Sequence, residues 1–127
     1  MSMTPQQLVA EAKTQIKETD ANNAATRIDA GAIVIDVREP AEFDAGHLLN
    51  AVNIPRGVLE FKTGEHPALS NKEAEILVYC KTGGRSALAT LSLQRLGYIN
   101  PVSMAGGFEA WVNAGQKVAT DSTNFGG

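Results

Sequence analysis

The sequence predicts an α/β protein: one domain built on a small parallel sheet of four to five strands, with helices on both faces. Three observations predict it. Short apolar, β-branched runs alternate with helical stretches from residue 32 to residue 115, the pattern that joins parallel strands through crossover helices. The run Ala32-Ile33-Val34-Ile35-Asp36-Val37 is apolar on both alternating faces, as a strand covered on both sides must be. The length of 127 residues suits a single hydrophobic core.

Each element has a local reason. Thr4, Pro5 and Gln7 form a capping box with proline at the first helical position, and Leu8, Val9, Ala12 and Ile16 fall on one helical face. A short helix is expected over residues 24–30, capped by Asn22 or Asn23 and stopped by Gly31. After the strand at 32–37, residues 40–45 read as a helix opened by Pro40 and closed by Gly46. Residues 51–54 read as a strand ended by Pro55, 57–61 as a helical turn, and 62–72 as a polar loop. Strands follow at 75–79 and 101–104, and helices at 86–96, stopped by Gly97, and 108–114, stopped by Gly115. Residues 1–21 are expected to be a helical extension, 22–117 the domain itself, and 118–127 a flexible polar tail.

Composition removes several function classes. Eleven basic against fourteen acidic residues give a net charge of −3, without the basic excess of a nucleic-acid-binding domain. No apolar run reaches the length of a membrane span, and the N-terminus lacks a signal-peptide pattern. One cysteine and two histidines show no metal-ligand spacing, and no dinucleotide fingerprint is present. No cofactor, metal, nucleic acid or membrane partner is therefore expected. A cytoplasmic location fits, where a single cysteine stays reduced.

The chemistry concentrates in Cys80-Lys81-Thr82-Gly83-Gly84-Arg85-Ser86. A strand delivers the cysteine, two glycines let the chain curl with its N–H groups inward, and a helix begins. The helix N-terminus and the cations Lys81 and Arg85 favour a thiolate. A cysteine ending a core strand can equally be buried and inert; the glycines, the cations and the strand–loop–helix setting favour reactivity. His47 reads as a structural hydrogen-bonding residue, His66 as an exposed loop residue and Trp111 as core. Glu42 and Phe43 either line the pocket or pack beside it.

Three stretches in this order resemble the rhodanese family: Ile35-Asp36-Val37-Arg38-Glu39-Pro40-Ala41-Glu42-Phe43 leading to Gly46-His47 and on to Pro55, the Cys80–Ser86 loop, and Met104-Ala105-Gly106-Gly107-Phe108-Glu109-Ala110-Trp111. The resemblance covers about residues 22 to 115. It implies a thiosulfate sulfurtransferase-like enzyme in which Cys80 carries a sulfane sulfur as a persulfide. The sulfur would pass from a small donor such as thiosulfate to cyanide or a thiol, a protein thiol included. By the same resemblance Lys81, Thr82, Gly83, Gly84 and Arg85 bind the substrate, while Asp36, Arg38 and Ser86 support the site. Two alternatives remain. One is a non-catalytic interaction module of the same fold. The other is a phosphatase, since the architecture is similar to that of cell-cycle phosphatases with five residues between cysteine and arginine. Here only four residues separate Cys80 from Arg85, a tighter ring that suits a single sulfur better than a phosphoryl group.

Overall fold

A computed structural model describes residues 2–120. Thr4 caps α1 (Pro5–Lys13) through the expected reciprocal box with Gln7. The helix stops at Lys13, and the chain then forms a strand that the sequence does not announce, β1 (Lys17–Thr19). Lys-Glu-Thr has no apolar signature because an edge strand has a neighbour on one side only; it pairs in parallel with residues 102–104. The N-terminal extension thus holds a strand of the sheet as well as a helix.

α2 (Ala21–Asp29) begins three residues before the expected 24. Its cap is Asp20, whose carboxylate accepts from the Asn23 amide at 2.8 Å, so neither asparagine caps. The earlier start lets Ala21 and Ala24 both face the core. β2 (Ile33–Asp36), α3 (Pro40–Ala45) and β3 (Val52–Asn53) follow as expected, although β3 is shorter. Residues 56–58 make a single 3₁₀ turn that leads into α4 (Leu59–Lys62). The stretch expected to be a plain loop contains two more 3₁₀ turns, at Thr63–Glu65 and Pro67–Leu69. They form because Thr63 and Leu69 are buried and the Tyr98 hydroxyl donates to the Leu69 carbonyl at 2.7 Å. β4 (Glu75–Tyr79), α5 (Gly84–Arg95), β5 (Asn100–Met104) and α6 (Gly107–Asn113) complete the fold. The tail expected to be flexible from residue 118 is held at its start: Ala119 is buried and pairs with His47 through two backbone hydrogen bonds of 2.7 and 2.8 Å, and from residue 121 the tail lies outside the described residues.

The five strands are parallel in the order β1-β5-β4-β2-β3. Alternation along them builds two cores. Ile35, Val37, Ile76, Val78 and Cys80 face α5, packing on Ala89 and Leu93. Val34, Leu77, Tyr79 and Met104 face the other way, against α2, Phe43 and Trp111. The chain steps from β2 to β3 on one side and then to β4 on the other. The carboxyl ends of β2 and β4 therefore flank a switch point, where open parallel sheets bind ligands. Among the described residues no helix is long and apolar enough to cross a membrane.

Candidate active site

Cys80 follows the last residue of β4, and the next three residues turn the chain into α5. Gly83 makes this turn with φ +112°, a left-handed conformation that favours glycine. The turn directs two amides at the sulfur: Gly83 N–H donates to Cys80 Sγ at 3.1 Å and Ser86 N–H at 3.3 Å. The Ser86 hydroxyl lies 3.5 Å from the sulfur. Ser86, expected in a supporting role, thus meets the sulfur through both its amide and its side chain. Two amides at the start of a helix aim their N–H dipoles at the sulfur, an arrangement able to stabilise negative charge there, with no formal positive charge in contact.

The carbonyls of the loop face the other way and are held there. Phe108 N–H donates to Cys80 O at 2.8 Å and Glu109 N–H to Lys81 O at 3.1 Å. These are amides at the start of α6, so one helix N-terminus fixes the outer side of the loop while another lines its inner side. The approach is close enough to exclude a side chain at Gly107. A Cβ there would lie 2.5 Å from Cys80 O and 2.6 Å from the Lys81 carbonyl group, and φ is +57°. Gly106-Gly107 is therefore more than a strand-to-helix turn: it is the surface against which the loop is set.

Behind Ser86, Ser103 on β5 is fully buried, with its hydroxyl 2.8 Å from that of Ser86. The Ser86 hydroxyl also donates to Gly83 O at 3.2 Å. Sequence reasoning missed Ser103. A lone serine in a short strand gives no signal until its odd-numbered register places it on the α5 face beside Cys80.

Asp36 and Arg38 lie on the opposite face of the sheet. Arg38 Nη2 donates to Asp36 Oδ2 at 2.8 Å and to Gly46 O at 2.6 Å, and both residues are buried. Burial works against the Arg38 charge, but the hydrogen bonds and charge of Asp36 outweigh it and hold the guanidinium above its ordinary pKa. The Tyr79 hydroxyl donates to Asp36 Oδ2 at 2.6 Å and accepts from Leu48 N–H. Burial first, and then the adjacent Asp36 carboxylate, push the phenol well above its usual range. Arg38 reaches Cys80 indirectly, its guanidinium lying 4.3 Å from the centre of the Phe108 ring, the residue whose amide holds Cys80 O. Tyr79 carried no functional signal in the sequence beyond its place next to Cys80.

Both loop cations have carboxylate partners. Arg85 forms a two-bond fork with Glu42 on α3, at 2.8 and 3.0 Å. The fork, chiefly, holds the Glu42 carboxyl down at about 2. Lys81 lies 4.0 Å from Glu109, with both side chains more than half exposed. Thr82 lies in the turn and Gly84 opens α5, where Val9 of α1 borders it. His47 is buried, stacked on Phe43 at 3.7 Å, with Nδ1 2.8 Å from Phe43 O, a structural setting. His66 accepts from Ala68 N–H through Nδ1, and Trp111 is core, its indole N–H donating to Lys117 O. No cluster of metal-ligating side chains occurs among the described residues.

Comparison with known proteins agrees with this geometry. The chain is 32% identical over 111 residues to Protein HIGH ARSENIC CONTENT 1, mitochondrial, of Arabidopsis thaliana, matching 79% of this chain and 64% of that one. It is thus shorter than some of its curated relatives, spanning less than two thirds of their length. It is 28% identical to a sulfurtransferase of Allochromatium vinosum, covering 79% of this chain and 92% of the relative. Among solved structures, a Rhodopseudomonas palustris protein of unknown function, described as a possible tyrosine phosphatase, superposes with a TM-score of 0.86 at 26% identity, covering 94% of this chain and 96% of that one. Residues 20–114 match the Rhodanese-like domain, and with the cysteine loop, its α6 buttress and the parallel sheet all in place within that span, the chain belongs to the rhodanese-like family.

Proposed function

We propose that this protein is a sulfurtransferase that carries a sulfane sulfur on Cys80. The observation that supports it most is the sulfur at the carboxyl end of β4 accepting from the amides of Gly83 and Ser86. The Cys80 thiolate attacks the outer sulfur of a donor such as thiosulfate. A new S–S bond forms to Cys80, the donor's S–S bond breaks, and sulfite leaves with the bonding pair. The amides that hold the thiolate then hold the persulfide anion. A thiophilic acceptor, cyanide or a thiol, a protein thiol included, attacks the outer sulfur and returns the Cys80 thiolate. Lys81, Thr82, Gly83, Gly84 and Arg85 form the rim and floor of the donor site, and Asp36 and Arg38 hold its scaffold. Cys80 is only 1% exposed, so the donor must present its reactive sulfur on a slender tip, which thiosulfate and persulfides do. The reading requires no cofactor, and a cytoplasmic location suits its reduced thiol.

The test is thiocyanate formation from thiosulfate and cyanide. Wild type turns over, and Cys80→Ser, folded, does not. A phosphatase reading has the likeness to the Rhodopseudomonas palustris protein in its favour. Against it stand the four-residue spacing from Cys80 to Arg85 and the engagement of both terminal nitrogens of Arg85 by Glu42. Hydrolysis of an aryl phosphate by wild type, lost in Cys80→Ser, would establish phosphatase chemistry instead.

A further inference from the structure

We propose that Glu42 sets the charge of the donor this site accepts: by occupying Arg85, it disfavours a dianion such as thiosulfate and leaves the loop suited to hydropersulfides, R–S–SH, with at most one negative charge at the reacting end. The proposal rests on sulfur transfer through Cys80 and names the donor class for it.

The loop's two cations, Lys81 and Arg85, face two carboxylates, Glu109 and Glu42, so the four groups sum to zero formal charge. Behind the sheet Arg38 and Asp36 also cancel. The groups that touch the sulfur are neutral amides and a hydroxyl. Thiosulfate attack brings a dianion to a thiolate, and with both loop cations facing carboxylates only the amides offset that repulsion, with little net charge to steer the encounter. Arg85 is the cation placed to help, since it directly precedes Ser86, whose amide donates to the Cys80 sulfur. Yet its charge is met by the Glu42 carboxylate, which takes one N–H from each of its terminal nitrogens.

Glu42 cannot simply swing aside. Its Oε1 also accepts from Glu39 N–H at 3.0 Å, closing the first turn of α3, and the next residue, Phe43, is buried. Recruiting Arg85 to a dianion would leave this carboxylate facing the donor. A hydropersulfide avoids the conflict. The Cys80 thiolate attacks its outer sulfur, the donor S–S bond breaks, R–S⁻ leaves with the bonding pair, and Cys80–S–SH remains. The transferred sulfur keeps its oxidation state, so no outside oxidant or reductant is needed.

The experiment measures second-order rates of sulfur loading onto Cys80, by intact mass, from two probes: thiosulfate, a dianion, and 2-hydroxyethyl hydropersulfide, which carries at most one negative charge. Variants are Glu42→Gln, which keeps an oxygen for the Glu39 amide, and Glu109→Gln, whose exposed side chain makes it safe for folding. Glu42→Gln is expected to raise the thiosulfate rate by about tenfold, with a new dependence on salt, and to change the hydropersulfide rate less than about threefold. Glu109→Gln should move the donor ratio in the same direction by less, and it carries the test alone if Glu42→Gln does not fold. An unchanged donor ratio in the folded variants overturns the role of Glu42. Failure of wild type to load from either probe overturns sulfur transfer itself, a separate result.

Discussion

The two faces of the sheet hold opposite kinds of chemistry. The α5 face carries Cys80 among apolar side chains, with the amides of Gly83 and Ser86 and the Ser86–Ser103 hydroxyl pair around its sulfur. The α3 and α6 face carries a buried ion pair, Asp36–Arg38, tied to Tyr79, Gly46 and the Phe108 ring. The contrast teaches a division of labour. Permanent charge braces the ends of β2 and β4 from behind, where its desolvation is met by fixed partners. Under the proposed sulfur transfer, the negative charge that comes and goes on sulfur is met in front by backbone dipoles that need no rearrangement. The link between the faces is the start of α6, where Phe108 covers Arg38 and its amide holds Cys80 O.

The division is broken most strongly by Asp36→Ala. It leaves Arg38 buried without its carboxylate and should cost about 3–5 kcal/mol of stability, read by urea denaturation. Sulfur transfer per folded molecule should change little by comparison; a selective loss of activity at full stability would place Asp36 in the chemistry. Gly107→Ala attacks the link. Its Cβ would push on the Cys80 and Lys81 carbonyls, and a shift of about 1 Å at the sulfur should cost about 100-fold in sulfur transfer. Equal activity in the variant would mean that the loop does not depend on α6.

A milder change sharpens the front face. Ser103→Ala removes the hydroxyl partner of Ser86 and should slow alkylation of Cys80 at fixed pH by up to about tenfold, the equivalent of one hydrogen bond. Ser103→Thr should restore most of the rate, and no slowing would show that the hydroxyl pair serves packing only. The smallest effect is acid dependence at the rim. Glu42 titrates at about 2 in the folded chain against an ordinary 4.5. The folded value is the lower, so its stabilisation is present above about pH 4.5 and lost as pH falls toward 2. The stability gap between wild type and Glu42→Gln should narrow across that interval. The gap itself is modest, because the pair is about a third exposed.

Legibility in the sequence followed the local character of each cause. The capping box of α1, the span of β4 and the glycine turn after Cys80 were readable because residues close in sequence produce them. β1 was hidden because an edge strand of Lys, Glu and Thr buries little, and the cap of α2 because Asp20, Asn22 and Asn23 all satisfy the same rule. At the site, the cysteine loop was legible as a motif. The partners of its residues were not: Glu42 meets Arg85 across 43 positions and Ser103 meets Ser86 across 17, contacts that only the sheet order and register create. Asp36 and Arg38 were singled out with the site, but the alternation of β2 that sets them behind the sheet became meaningful only once Cys80 was placed on the other face.

The central claim, that the front face holds a sulfur atom covalently on Cys80, is tested most directly by the intact mass of the protein after incubation with a sulfane donor. One addition of about 32 Da, removed by cyanide and absent from folded Cys80→Ser, is the predicted result. An addition that persists in Cys80→Ser, or none in wild type with either thiosulfate or a hydropersulfide, would contradict it.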